Sequence, residues 1–222
     1  MGAAYGLTSA DAEPVTSIPT NPHPLSNAVI ERWEKLRSTP QGHYRVFDVR
    51  RDRTRSPESG KEYDFYVIES PDWVNVIPLT PDGQVVCIRQ YRHGVEEVTL
   101  EVPGGVVDPE DPDPLTAAWR EMREETGYDA EAMIPLGAVA PNPALQNNRC
   151  HAYLARNAYP AGAQALDGAE EIDVTLVDLE DVPGLIAGGQ ITHALVVAAF
   201  YLFDRHRRCS TSRGDEESKR RR

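Results

Sequence analysis

Between positions 104 and 128 the chain gathers acidic side chains behind a glycine turn. Gly104-Gly105 leads into a loop carrying Asp108, Glu110, Asp111 and Asp113, and then comes Arg120-Glu121-Met122-Arg123-Glu124-Glu125-Thr126-Gly127-Tyr128. Glu121, Glu124 and Glu125 are spaced i, i+3, i+4, which on a helix turns three carboxylates to one side. Like charges at that spacing cost an isolated helix about 0.2–0.5 kcal/mol per pair. Arg120, four residues before Glu124, can hold one of them. A hard divalent cation would offset the remaining repulsion, and clustered carboxylate oxygens suit Mg2+. The plain alternative is a solvated acidic face, which is what most acidic helices are.

The helix that must present these groups has its own signals. Asp113 is a good N-cap and Pro114 fits the first helical position. Leu115, Ala118 and Met122 recur at helical spacing and form one apolar face. Gly127 is a natural stop.

Residues 104–128 resemble the Nudix box of the Nudix hydrolases, G-x5-E-x7-R-E-U-x-E-E-x-G-U, where U is bulky and apolar. Arg120–Tyr128 fits the second half without a gap if Tyr128 counts as the bulky residue. The first half departs: after five intervening residues, 106–110, Asp111 stands where Glu belongs, and eight residues then precede Arg120. Either Glu110 or Asp111 takes the usual Glu place. Upstream, Arg89-Gln90-Tyr91-Arg92 and Leu100-Glu101-Val102-Pro103-Gly104-Gly105 resemble segments of the ADP-ribose and nucleoside-diphosphate-sugar pyrophosphatases. Pro143, fifteen residues past Tyr128, matches a further marker of the ADP-ribose type.

The resemblance implies an α+β fold, the Nudix α/β/α sandwich with a mixed β-sheet, over roughly residues 41–205. It implies that Glu121, Glu125 and the backbone carbonyl of Gly104 bind Mg2+, with Mn2+ a possible substitute. Glu124 is either a further ligand or the partner of Arg120, and both count with the catalytic group. Cations so held would bridge pyrophosphate oxygens, neutralise developing charge and lower the pKa of an attacking water. Arg92 is expected on a phosphate, where a guanidinium can bind two oxygens at once; the alternative is a surface ion pair. Glu101 would hold substrate or a loop. The general base would be Glu170, in Glu170-Glu171-Ile172-Asp173-Val174, with Glu171 the adjacent alternative and an acidic strand cap the bland reading. The loop with Asn142, Asn147, Asn148, Arg149 and His151 either lines the sugar side of the site or is a turn-rich connection. His93, His151 and His193 show no ligand spacing and read as structural. Trp73 reads as core sooner than as a base-stacking platform.

The implied reaction is Mg2+-dependent hydrolysis of a small-molecule nucleotide sugar, first ADP-ribose to AMP and ribose 5-phosphate. GDP-mannose is an alternative substrate, and a non-catalytic nucleotide-sugar sensor is an alternative class. Intact Arg120, Glu121, Glu124 and Glu125 argue against the sensor. Enzymes of this type usually dimerise through N-terminal strands, so a homodimer is expected.

Composition sets the outer bounds. The 222 residues allow one large domain with tails, and 40% hydrophobic residues can supply a core. The net charge of −12 argues against nucleic acid as a partner. Residues 205–222 hold eight basic against three acidic side chains, so they carry +5 and the rest of the chain −17. Cys87, Cys150 and Cys209 are far apart with no C-x-x-C, which fits a reducing compartment. No apolar run is long enough to span a bilayer, and the start lacks a signal-peptide pattern. Met1-Gly2 opens like a myristoylation site, but position 6 is Gly. The expectation is a cytoplasmic protein without a membrane partner.

Along the chain, residues 1–24 read as a mobile tail and 26–37 as a short helix with Val29, Trp33 and Leu36 on one side, broken at 38–42. The domain boundaries are therefore set at 1–40 for the tail with its helix, 41–207 for the folded domain and 208–222 for a disordered charged tail. Strands are expected at 44–49, 64–69, 73–79, 85–91, 98–102, 136–139, 150–154 and 174–179. Thr80-Pro81-Asp82-Gly83 is a hairpin turn. A long Ala/Gly-rich loop covers 156–171, and helices are expected at 181–187 and 192–203.

Overall fold

Alternation of apolar side chains along the central strands decides the layering. In β4 (Trp73–Leu79), Val74 and Val76 pack with Ala117, Ala118 and Met122 of α1 (Pro114–Thr126). Ile77 instead joins Val196, Ala199 and Phe200 of α3 (Ala194–Arg220). β9 (Cys150–Arg156) divides the same way, with Tyr153 and Ala155 toward α1 and Ala152 and Leu154 toward α3. A period of two with both faces apolar means a sheet covered on both sides. The expected α/β/α sandwich is thus observed in the computed structural model, which describes residues 30–168 and 170–220.

The six-stranded sheet runs β11 (Ile172–Asp178), β5 (Gln84–Arg92), β4, β9, β8 (Ala132–Val139), with β6 (Glu97–Glu101) also paired to β5. β4 and β9 are parallel and the other pairs antiparallel, so the sheet is mixed. β4 meets β5 at Leu79–Val85, next to the Thr80–Gly83 turn, where Gly83 sits at φ 83°. Farther along, β4 has a different neighbour. Val76 N–H donates to Pro103 O at 2.8 Å and Val74 N–H to Gly105 O at 2.9 Å. The glycine segment is therefore stitched to the sheet under α1. A two-residue pair of β7 (Tyr128–Asp129) with β10 (Tyr159–Pro160) and the short α2 (Val182–Ala187) complete the domain.

The N-terminal part differs from expectation. β1 (Glu34–Tyr44), β2 (Phe47–Arg55) and β3 (Glu62–Glu69) form a separate three-stranded antiparallel sheet. The described part of the expected helix, 30–37, is irregular and then strand. β1 has register shifts at Lys35/Arg37 and Pro40/Gly42, so its half-buried positions, Leu36, Thr39 and Gly42, recur every third residue. The bulge between Pro40 and Gly42 absorbs the Pro and Gly read as a break. The turn at 45–46 also splits the single strand expected at 44–49. The sheet joins the main body through β3, where Ile68 N–H donates to Leu145 O at 2.7 Å and Ile68 O accepts from Asn147 N–H at 3.3 Å. The expected tail at 1–24 and the first residues of the expected helix lie outside the described residues.

The C-terminus differs too. α3 continues to Arg220, through most of the segment expected to be disordered. That stretch has no proline, and Arg208 Nε pairs with Asp204 one turn earlier at 2.8 Å. Among the described residues no helix is long and apolar enough to cross a membrane.

Candidate active site

α1 forms as its sequence implies. Asp113 caps it with a 2.8 Å bond from Thr116 N–H, Pro114 opens it, and Gly127 closes it at φ 70° with its N–H on Arg123 O. Ala118 and Met122 are buried, while Leu115, expected on the same face, is exposed. The helix thereby lays its last two turns along the Gly104–Gly105 segment.

The three glutamates do not act alike. Glu125 is buried and accepts the Gly104 N–H at 2.7 Å. Glu121 lies against Gly105, where an added Cβ would come within 2.5 Å of its Oε1. Only glycine lets the backbone pass this close to the carboxylate. Glu124 turns to Arg120, whose Nη1 reaches its Oε2 at 3.0 Å and Glu121 Oε1 at 2.9 Å. The three carboxylates thus differ in setting: Glu125 is buried against Gly104, Glu121 is half-buried between Gly105 and Arg120, and Glu124 lies on Arg120. Among the described residues no three His, Cys, Asp or Glu side chains close on a common point.

Arg120 resolves the loop ambiguity. Its Nη2 and Nε reach Asp111 at 2.8 and 3.3 Å, Nη2 also bonds Val106 O at 2.9 Å, and Asp108 lies 3.3 Å away. Asp111, not Glu110, is the loop acid that engages the helix. These partners, Asp111 first, raise the Arg120 pKa.

The charge balance of Glu121 and Glu125 is telling. Burial pushes Glu125 up to about 8, with Glu121 and Glu170 adding repulsion against the Gly104 N–H. Burial likewise pushes Glu121 up to about 7 despite Arg120. A buried and a half-buried carboxylate that resist ionisation, set beside backbone, are a donor set that a divalent cation fits. Gly104 N–H points to Glu125 while the flanking Pro103 and Gly105 carbonyls accept from β4.

Beside the pair lies a second charged unit. Arg92 Nε and Nη2 each bond Glu101 at 2.8 Å, and Thr99 Oγ1 donates to Glu101 Oε1 at 2.6 Å. Glu101 is 2% exposed. Burial would raise its pKa, but the bonds from Arg92 and Thr99 hold it below the usual range. Arg92, its own side chain 39% exposed, thus stands in an ion pair with a buried carboxylate. Its field, with those of Glu125 and Glu170, links it to the carboxylates.

The profile of the NUDIX domain matches residues 70–200. The chain belongs to the Nudix hydrolase family. A methanol dehydrogenase activator of Bacillus methanolicus is 30% identical to this Nudix protein over 160 residues, 71% of the chain and 85% of the relative. The ADP-ribose pyrophosphatase of Bacillus subtilis (strain 168) is 28% identical over 137 residues, 61% and 74% of the two chains. A solved structure of an ADP compounds hydrolase superposes with a TM-score of 0.72 at 21% identity, covering 82% of this chain and 97% of its own, and so shares the fold.

Other residues singled out in this Nudix chain fall as follows. Glu170 is half-buried, its charge raises both Glu121 and Glu125, and its Oε2 accepts Asp167 N–H at 3.3 Å. Glu171 is exposed. Asn142 is exposed and its carbonyl accepts from Leu145 and Gln146 N–H, a turn role. Asn147 Oδ1 accepts from Ser70 N–H at 3.2 Å, and Asn148 Nδ2 donates to Pro71 O at 3.0 Å. These bonds tie the loop to the β3–β4 connection, which supports its reading as a structural connection. His151 bonds Asp72 at 2.9 Å and His93 stands edge-on to Tyr91. Trp73 is half-buried and bridges to Val106. One residue, Gln164, was not singled out from the sequence, and one read there as structural, His193, lies beside the Arg92–Glu101 unit. His193 is close enough to feel both charges, and Gln164 bonds the last turn of α1. Neither belongs to a motif, and only the packing of remote segments brings them there.

Proposed function

We propose that this Nudix protein hydrolyses the pyrophosphate bond of a nucleoside diphosphate sugar, with ADP-ribose as first substrate and AMP and ribose 5-phosphate as products. The observation that carries the reading is the pair of Glu125, buried, and Glu121, half-buried, set against Gly104–Gly105 beside the Arg92–Glu101 unit. The ADP-ribose pyrophosphatase names among the relatives support the substrate class. Glu121, Glu125 and the Gly104 carbonyl would hold Mg2+, or Mn2+ in its place. When bound, the cation supplies charge neutralisation on the pyrophosphate and acidifies the attacking water.

The chain's own groups do the rest. Arg120, braced by Asp111 and Glu124, keeps Glu121 oriented. Arg92, fixed by Glu101, directs its guanidinium to a phosphate oxygen. Asn142, exposed and with its carbonyl closing a turn, is retained only as a proposed contact for the sugar. Glu170 takes the proton from water as the water oxygen bonds phosphorus; the bridging P–O bond breaks and its electrons leave with the departing phosphate. The exposed aromatic side chains of the N-terminal sheet support a homodimer. Free Cys87, Cys150 and Cys209 support a reducing compartment, which we take to be the cytoplasm.

The test is a panel of nucleotide sugars, ADP-ribose and GDP-mannose included, incubated with Mg2+ and resolved by product. ADP-ribose should give AMP and ribose 5-phosphate with the highest kcat/KM. Tight binding without turnover of any member would replace the enzyme reading with the sensor.

A further inference from the structure

The last turn of a helix leaves carbonyls without helical partners. In α1 a distant loop supplies them. Gly127 O accepts from Ala161 and Gly162 N–H at 2.8 and 3.0 Å, and Glu124 O accepts from Ala165 N–H at 2.9 Å. Glu125 O accepts from the side chain of Gln164, Nε2 at 2.6 Å. The same Nε2 lies 3.2 Å from Ile172 O, the first residue of β11. One amide nitrogen therefore joins the backbone of a site glutamate to the point where the loop re-enters the sheet. Between Gln164 and Ile172 the chain carries Glu170, whose charge already reaches Glu121 and Glu125.

We propose that Gln164 is a positioning residue for hydrolysis: its amide fixes the spacing between α1 and the segment that presents Glu170. The inference rests on the reading of Glu170 as general base. Both hydrogens of one NH2 group are used, each on a carbonyl. A side chain without donors cannot replace it, whereas an ammonium on a long stem can meet both carbonyls. Gln164 touches neither Glu170 nor the reacting atoms, so its effect is on geometry, and small displacements of a reacting group carry a large rate penalty.

The test uses full-length protein and ADP-ribose with Mg2+. Gln164→Ala and Gln164→Glu should each lower kcat about tenfold with KM within about twofold of native, since alignment and not ground-state binding is lost. Gln164→Lys should recover most of kcat. In a Glu170→Gln background Gln164→Ala should cost less than about twofold more, because residues acting as a unit are not additive. Amide hydrogen exchange on metal-free protein gives a readout apart from activity: Gly162 and Ala165 should exchange faster in Gln164→Ala while the central strands do not change. Near-native kcat in Gln164→Ala, an undiminished loss on top of Glu170→Gln, failure of Gln164→Lys to recover, or unchanged exchange at Gly162 and Ala165 would each overturn the proposal. If Glu170→Gln alone keeps near-native kcat, the general-base reading has failed, and that is visible in the single variant.

Discussion

At the scale of single residues, the Glu121–Glu125 pair sets a pH dependence with a definite sign. Burial pushes Glu121 up to about 7 and Glu125 up to about 8, above the ordinary 4.5. A raised carboxyl pKa favours the folded state while the group is protonated. That contribution is full below about 4.5 and is lost as pH rises through 7 to 8. The metal-free protein should therefore melt lower at pH 8 than at pH 5, and Glu125→Gln should flatten the fall. Calorimetry in chelator at several pH values checks this; an equally steep fall in the variant would contradict it. Glu121→Gln and Glu125→Gln should both stay folded yet lose most activity with Mg2+, as should the native protein in excess chelator. Glu170→Gln should lower kcat roughly a hundredfold at saturating Mg2+ and substrate, and Glu171→Gln far less. Near-normal turnover in Glu170→Gln removes it from the mechanism. The same scale separates the two loop acids. Asp111→Asn should loosen Arg120 and lower kcat, whereas Glu110→Gln should change little.

At the scale of elements, α1 depends on how it ends. Gly127 occupies the left-handed region at φ 70°, and a Cβ there would also collide with the carbonyl of Gly162. Gly127→Ala should cost about 2 kcal/mol or more, roughly 4–8 °C in Tm for a domain of this size, and loosen the 161–165 loop. A Tm within a degree of native would show that the loop yields without strain. α1 was legible because each of its devices is local: Asp113, Pro114, the buried Ala118 and Met122, and Gly127. The hairpin at Thr80–Gly83 was legible for the same reason. What failed was non-local. The helix expected at 26–37 rested on Val29, Trp33 and Leu36; in the described part Leu36 is in β1 and Trp33 packs on Tyr63 and Phe65 of β3, partners far along the chain. The division of labour among the glutamates could not be read from spacing, because Gly105 and Arg120 decide it from outside the helix pattern. Gln164 carries no local signature at all, since its two partners are carbonyls far along the chain.

At the scale of the whole molecule, the N-terminal sheet poses the question of what covers it. Trp33 packs on Tyr63 and Phe65 with ring centroids 5.7 and 5.6 Å apart, yet all three are exposed. Tyr44, Val46 and Tyr66 on the same small sheet are exposed as well. Its charged side chains, by contrast, are largely paired within it: Asp52 is buried and takes bonds from Ser38 and Arg50, and Lys35 lies 3.2 Å away. A three-stranded sheet with a satisfied polar network and an aromatic cluster left in water has the makeup of an association surface. A stable dimer needs about 800 Å² per partner. A two-fold contact would set each aromatic cluster against its own copy or against a complementary patch. The expectation is a dimer at micromolar concentration, converted to monomer by Phe65→Asp, which places a charge among the exposed rings. Sedimentation velocity of both forms decides it. A native protein that sediments as a monomer, or a Phe65→Asp variant that remains a dimer, would remove this sheet from the interface. Because Phe65 lies in β3 of the N-terminal sheet while Glu121 and Glu125 lie on α1, the monomeric variant also tests whether one subunit suffices. Retained kcat in the monomer would confine the chemistry to a single chain, and its loss would mean that the partner completes the site.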